Sequence, residues 1–567
     1  MNIFRLFMVV TLGVLLSVYF MAGCEGANSA STDGDSDSDS DGDSDSDTDN
    51  PDHILEGISI EPANFIFEMD LNATATMPYQ CVGYFADGVS EDLTDQVTWD
   101  IDNATLGDFG GDATLDIPAI STVGAHVGKV SATYSADFQT HAQLTVVTYQ
   151  MTGPNKDFFF QLPYDDQDGP QEKPLDFSTD VQDVDVFFAM DTTGSMGGTI
   201  SSLQASLSGT IIPGIQASMA TAWFGVGGFD DFPISPYGSF SSGDQPFYLL
   251  QEITGVAADA QAGVNALPLH YGGDGAESMI EALFQISTGY GLTGPSPTVV
   301  APNTSGVGGV GFRANSMPII VPLTDIYSHN GINPAYDYTG DVAAVAATRA
   351  DAVVALEDIC ARVVGVATTS GDPDMVAMAE DTGALIPPEA WGPAASRPPG
   401  CAAGLCCTGT SGAGRATNAA GMCPLAYIHS GGTGLGDTIV TGIDMLTHYA
   451  AFDCETETSG ETADVDGNPL PAGTTTADFI VAIVPVSFVV PVDPPGLPTP
   501  TMTSTGFENV TPGTTVTFDV TAFNDFVEQT DDAQFFEAKI TVTAGGCFPL
   551  DDRVVLILVP PTPIDVS

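Results

Sequence analysis

Apolar and polar positions along this chain fall into three blocks with different periods. From Ile54 to Val147, short runs such as Ile58-Ser59-Ile60-Glu61 and Val97-Thr98-Trp99 alternate between turns, the period of two that turns one side of a strand toward a core. Tyr84-Phe85-Ala86-Asp87-Gly88-Val89 carries the Asp-Gly signal of a hairpin, and Trp99 is expected in that core. Between about Asp183 and Asp453 the pattern changes. Val184–Met190 is apolar at every position but Asp185, which predicts a parallel strand buried on both faces. It runs through a Gly-containing turn into a helical pattern at Thr199–Leu207. Alternating elements follow at Trp223–Phe229, an edge strand near Phe247–Ile253, Glu277–Ser287, Met317–Thr324, Val342–Glu357, Ala361–Ala367, Met375–Thr382, Leu425–His429 and Thr438–Tyr449. From Cys454 to Pro560 two-residue alternation returns, in Phe479–Val490, Thr514–Val520, Phe535–Thr543 and Arg553–Val559. The expected fold class is multidomain: a β-sandwich over residues 53–148, a Pro- and Asp-rich linker over 149–182, a doubly wound α/β domain over 183–453, and a second β-sandwich over 454–567.

The first 52 residues follow other rules. Arg5 gives a positive start, Leu6–Phe20 is apolar, and Met21-Ala22-Gly23-Cys24 closes the stretch, the layout of an export signal over residues 1–23. Small residues before a cysteine resemble the bacterial lipoprotein cleavage box, which implies acylation of Cys24, anchoring to a membrane, and a place in the bacterial cell envelope. Glu25 differs from the Asp that resembles an inner-membrane retention signal, so the expected location is the outer membrane or cell surface. Asp33 through Asp49 alternate with Ser, Gly and Thr; self-repelling charge without apolar residues cannot form a core, and an extended acidic tether is expected over residues 24–52.

Charge then narrows the partners. Eleven Lys plus Arg face 74 Asp plus Glu, a formal net charge of −63. Phosphate backbones are bound by cationic surface, so nucleic acid is excluded as a partner. The hydrophobic share of 43% still supports folded domains.

The candidate chemistry gathers at strand ends. Asp191, Thr193 and Ser195 alternate directly after the buried strand, Asp274 and Glu277 open a helical pattern, and Asp325 ends the strand Met317–Thr324. In an open α/β sheet these positions share one edge, and hydroxyl with carboxylate suits a small hard cation, Mg²⁺ or Mn²⁺. Asp191-x-Thr193-x-Ser195 resembles the metal-ion-dependent adhesion site of the von Willebrand factor A family. Phe224–Tyr237 and the Asp274-x-x-Glu277 loop are similar to integrin β A-like domains. The resemblance implies Thr193, Ser195 and Glu277 as direct metal ligands, with Asp191 and Asp325 direct or water-bridged. It also implies a second cation site, for Ca²⁺, at Asp231, Asp274 and Glu277, weakened by Gly272 where that pattern has an amide. The order Ile58–Pro62, Asp87-Gly88, Leu93–Trp99 and Gly128–Tyr134 resembles the group 2 bacterial immunoglobulin-like domain, which implies a spacer.

Of the nine cysteines, eight remain to be placed besides Cys24. Cys401, Cys406, Cys407 and Cys423 crowd a Gly-, Ala- and Pro-rich insertion, 387–423, and in an exported chain are expected as local disulfides. Cys454 and Cys547 are expected to pair in the last domain, leaving Cys81 and Cys360 as buried thiols. No His-Glu-x-x-His or Gly-x-Ser-x-Gly motif occurs, so a binding protein is expected rather than an enzyme: a metal-dependent adhesion lipoprotein taking an acidic group of a protein or acidic polymer, or else an accessory envelope lipoprotein whose A-type domain docks without metal.

Overall fold

The computed structural model describes residues 53–153, 156–429, 433–530 and 532–562. The export signal, Cys24 and the tether lie outside the described residues. The molecule is mostly β, built of several sheets, and among the described residues its α-helices lie in the central part of the chain.

The first domain packs three small sheets around Cys81, Leu93, Leu106, Leu115, Val130, Leu144 and Val146. Its longest hairpin pairs Gly124–Ser135 with Phe138–Tyr149, and Phe85 N–H donates to Val89 O at 2.9 Å across the Asp87-Gly88 turn. Trp99 departs from expectation. It is half-buried at the rim, stacked on Phe109 at 5.6 Å with its Nε1–H donating to Thr94 O; a ring bearing a donor sits where that donor finds an acceptor.

The central α/β domain is a seven-stranded sheet. The order is Tyr248–Thr254, Thr221–Phe229, Asp183–Asp191, Met317–Thr324, Gly365–Ala367, Ala426–Ile428, with Arg362–Val363 also paired to Met317–Thr324. All pairs are parallel except the edge pair of Tyr248–Thr254 with Thr221–Phe229. Alternation along Asp183–Asp191 explains the two helical layers. Val184, Val186, Phe188 and Met190 join one cluster with Ile200, Leu203, Ile439 and Ile443. Phe187 and Ala189 join another with Met279, Leu283, Leu356 and Met378. Asp185, fully buried in this apolar run, is held by Arg313 Nε–H at 2.8 Å and the Ser316 hydroxyl at 2.7 Å. The helical stretch expected at Val342–Glu357 is broken: Gly340–Ala343 ends early, and Arg349–Asp358 starts afresh behind Thr348, whose side chain and Asp351 form a capping box.

The stretch 149–182 carries strands rather than serving only as a linker. Phe158–Gln161 pairs in parallel with Phe548–Val559, and Gln171–Ser178 pairs antiparallel with Thr515–Ala522. Phe158, Phe160, Leu175 and Phe177 are buried in the core of the last domain. The Pro and Asp residues that dominate its composition, Pro163 to Pro170, form the turn between these strands. The last sandwich is therefore discontinuous, and the α/β domain is inserted between its strands Gln171–Ser178 and Phe452–Gly460.

The cysteines correct the expected pairing. Cys360 is bonded to Cys547, with Cα atoms 5.8 Å apart, and ties the α/β domain to the sandwich. Cys454 is a buried free thiol, as is Cys81. Cys454 points into the apolar core from the strand Phe452–Gly460, while Cys547 lies in the turn before Phe548–Val559, where it meets Cys360. Within the insertion Cys401 pairs with Cys407 and Cys406 with Cys423.

Candidate metal centre

Counted along the chain, the six main strands of the α/β sheet stand in the order 3-2-1-4-5-6. Chain connections leave the central strand in opposite directions at the Asp183–Asp191/Met317–Thr324 boundary, the switch point beyond whose carboxyl ends open α/β sheets bind their ligands. Asp191 closes the first of those strands, and Thr324 with Asp325 closes the second. Glu277 arrives from a third direction. Its N–H donates to Tyr327 O at 3.0 Å, and His329 N–H donates to Glu277 O at 2.8 Å, clamping the loop before the helix Met279–Thr288 onto the segment after Asp325.

Asp191 is fully buried. Its Oδ1 accepts from the Thr193 hydroxyl at 2.7 Å and the Thr193 N–H at 2.9 Å, and its Oδ2 accepts from the Thr324 hydroxyl at 2.6 Å. Burial nonetheless pushes its carboxyl up to about 7, against the pull of those hydrogen bonds. The Ser195 hydroxyl donates to Asp325 Oδ1 at 3.1 Å on the exposed side. Glu277 is 5% exposed, and its buried Oε2 has no hydrogen-bond partner. Burial, reinforced by the charges of Asp191, Asp231, Asp230 and Asp274, pushes Glu277 up to about 11. Gly272, at φ 66°, lets the chain pass close by: a Cβ there would stand 3.2 Å from Glu277 Oε1 and 3.5 Å from Thr193 Cγ2.

Five residues from three loops thus meet at one sheet edge. They offer hydroxyl and carboxylate oxygens only, two of their acids are buried at the cost of their charge, and one buried oxygen lacks a partner. A divalent cation held by Asp191, Thr193, Ser195, Glu277 and Asp325 fits this donor set, and none of the five is drawn elsewhere by the fold.

The second expected site is different. Asp231 is fully buried and accepts from the Phe232 N–H at 2.6 Å and from Tyr338 Oη. His329 Nε2 stands 3.0 Å from Asp231 Oδ2 and 3.2 Å from Asp274 Oδ1. Burial depresses the imidazolium, but the hydrogen bonds and charges of Asp231 and Asp274 outweigh it and push His329 up to about 10. A stacked Tyr338 ring, 4.2 Å away, fixes its plane. His329 thus joins Asp231 and Asp274 in a cluster whose ligand atoms lie within 4.8 Å of one another; without an ion its positive charge would offset the acids, and its ring nitrogen suits a first-row ion better than the Ca²⁺ expected there. The distance of His329 from Asp231 in the chain leaves no spacing signal for this pairing in the sequence.

Comparison with solved structures returns neighbours of very low overall similarity. They include a von Willebrand factor type A protein from Catenulispora acidiphila, at 12% identity and TM-score 0.29, covering 73% of this chain and 74% of that one. The pilus adhesin SpaC from Lactobacillus rhamnosus GG, in its open conformation, matches at 12% identity and TM-score 0.26, over 74% of this chain and 49% of the adhesin. Proximal thread matrix protein 1 from the mussel byssus matches at 11% identity and TM-score 0.27, over 51% of each chain. This chain therefore spans about half the length of the second and third. No protein-family model and no curated protein matches the sequence.

Proposed function

We propose that this chain is an envelope-anchored binding protein of the von Willebrand factor A type. Mg²⁺ or Mn²⁺, held by Asp191, Thr193, Ser195, Glu277 and Asp325, would accept an acidic group of a protein or acidic polymer. The observation that carries the reading is Glu277, a buried acid whose Oε2 has no hydrogen-bond partner and whose side chain lies, with Thr193, against Gly272. The cation would supply a local positive field in an otherwise repulsive protein. At physiological salt the long-range repulsion is screened within about 8 Å, so contact through the ion is compatible with the net charge of −63. The chain's own residues bind and orient; Thr193 and Ser195 present hydroxyls, and Gly272 leaves room beside Glu277. Cys24 would carry the acyl anchor, with the acidic tether behind it.

The test is partner capture from envelope extracts with and without chelator, repeated for Thr193→Ala, Ser195→Ala and Glu277→Ala. Capture is expected to vanish in every case; Thr193→Ala and Ser195→Ala should change stability by no more than about 1–2 kcal/mol, because their hydroxyls hold little of the core, and Glu277→Ala, which removes a costly buried acid, should not destabilise the metal-free chain. A second reading has one observation behind it. The strand Ile480–Val489 forms an edge of the three-stranded sheet, and Val481, Val484, Val486 and Val489 along it are exposed. Such an edge can pair with another chain. An accessory envelope protein docking through this edge would keep its partner in chelator and lose it on Val484→Lys, which would end the metal-dependent reading.

A further inference from the structure

Beside the candidate metal centre lies a second cluster that no motif announced. Asp230 follows the strand Thr221–Phe229, Asp244 ends the loop after it, and His270 lies in the segment behind the helix Ala257–Asn265. One carboxylate oxygen of each acid and one ring nitrogen of His270 all lie within 4.8 Å of one another. Asp230 and Asp244 are 0% and 1% exposed, and the His270 side chain is 18% exposed.

The hydrogen bonds leave a gap in this cluster. Asp230 Oδ1 accepts from the Thr192 hydroxyl at 2.6 Å. Its Oδ2 faces His270 Nδ1 at 2.7 Å and the Gln245 N–H at 3.3 Å. Asp244 Oδ2 accepts from the Ser239 N–H at 2.7 Å and faces Gly238, whose added Cβ would stand 3.1 Å from it. Asp244 Oδ1 is buried and has no partner. A lone imidazolium could offset one of the two acids, and an uncompensated buried carboxylate is costly. One divalent ion with a neutral imidazole balances both.

We propose that Asp230, Asp244 and His270 form a cation site of their own, selective for an imidazole-binding first-row ion such as Zn²⁺ over Mg²⁺ or Ca²⁺, with Mn²⁺ as a weaker occupant that serves as its paramagnetic probe. Two oxygens with one imidazole nitrogen is the donor set that makes this choice. Ligands about 2.1 Å from an ion stand at most about 4.2 Å apart, so the observed spread needs adjustments of only a fraction of an ångström. Gly243, in the left-handed region at φ 90°, keeps the space at the other ring nitrogen open; a Cβ there would stand 3.0 Å from His270 Nε2. The partly exposed imidazole edge is the way in.

The site would brace the adhesion-type loop. His270 N–H donates to Thr192 O at 2.8 Å, and Asp230 holds the Thr192 hydroxyl; Thr192 lies between Asp191 and Thr193. This site does not require the proposed function to be right, since its ligands are separate from those of the neighbouring centre.

The test uses the full chain with Mn²⁺ alone, read by spin-echo detection of nitrogen coupled to the ion. The other candidate site is all oxygen, so nitrogen coupling reports imidazole. Coupling is expected in the wild type, in Asp191→Asn and in His329→Gln, and is expected to vanish in His270→Gln. Asp244→Asn, which keeps the side chain's shape, should weaken the nitrogen-coupled ion tenfold or more, and it decides the question should His270→Gln fail to fold. Absence of coupling in the wild type, its survival in His270→Gln, its loss in His329→Gln, or unchanged affinity in Asp244→Asn would each overturn the assignment.

Discussion

Metal uptake at the candidate centre should release protons, because both of its buried acids hold theirs above the ordinary carboxyl range. Without a cation, Asp191 is held at about 7 and Glu277 at about 11 by burial. At pH 7 the first is then about half protonated and the second almost fully. Metal ligands must be deprotonated, so binding one Mg²⁺ should expel about 1.5 protons at pH 7. By pH 8.5 Asp191 is ionised, and the number should fall to about 1. Glu277→Gln removes the larger share and should leave about 0.5 at pH 7. Calorimetry in buffers of different ionisation enthalpy reads the number as the slope of observed heat against buffer heat. Mg²⁺ is the right probe, because the imidazole-containing clusters are poor sites for it. A wild-type slope near zero, or the same slope in Glu277→Gln, would refute the claim that these two buried acids are the ligands.

Stability should depend on pH in a linked way. Both acids have folded values above their ordinary ones, so their contribution is fully present below pH 4 and is lost as pH rises through about 7 for Asp191 and toward about 11 for Glu277; chelated protein should lose about 1.4 kcal/mol per pH unit per retained proton between pH 5 and 8, measured by denaturant unfolding, and Mg²⁺ should reverse the trend. Asp191→Ala should abolish Mg²⁺ uptake in the same calorimeter while the chain stays folded by circular dichroism. His329, raised to about 10, contributes stability that is present below about 6.5 and lost as pH rises through about 10; His329→Gln should therefore cost roughly 1–3 kcal/mol at pH 7 and much less above pH 10. Cys360→Ser, which opens a link between residues 187 apart, should lower stability by roughly 2–5 kcal/mol yet leave Mg²⁺ affinity within about twofold.

What was legible in the sequence was local. The Val184–Met190 run and the acids at strand ends could be read because burial on both faces demands continuous apolarity and ligands collect at carboxyl ends. What escaped was set by contacts far apart in the chain. Phe158–Gln161 looked like part of a linker because its partner, Phe548–Val559, lies 397 residues further on (Phe158 to Val555) and the Pro and Asp residues that follow it dominate the local composition. Cys547 was assigned to Cys454 because both lie in the last block, whereas the fold brings the helix end at Cys360 to the turn at Cys547. His270 and His329 stood alone in loops with no spacing signal, and only folding sets each beside two acids.

The insertion gives the metal edge its orientation. Three covalent routes join the α/β domain to the sandwich: the entry from Ser178 into Asp183–Asp191, the exit from the helix Leu435–Tyr449 into Phe452–Gly460, and the Cys360–Cys547 bridge. Entry occurs at the amino end of the central strand. Cys360 sits just before the amino end of Arg362–Val363. The last helix, running back against the parallel strands, ends on that same side. All three routes therefore converge on one edge of the sheet, while Asp191, Glu277 and Asp325 stand at the other. The nine residues of Asp183–Asp191 separate the two edges by about 26 Å. A sandwich fastened at that distance stands a strand's length from the carboxyl edge, so a partner meeting a cation bound there as proposed would not need to displace the sandwich.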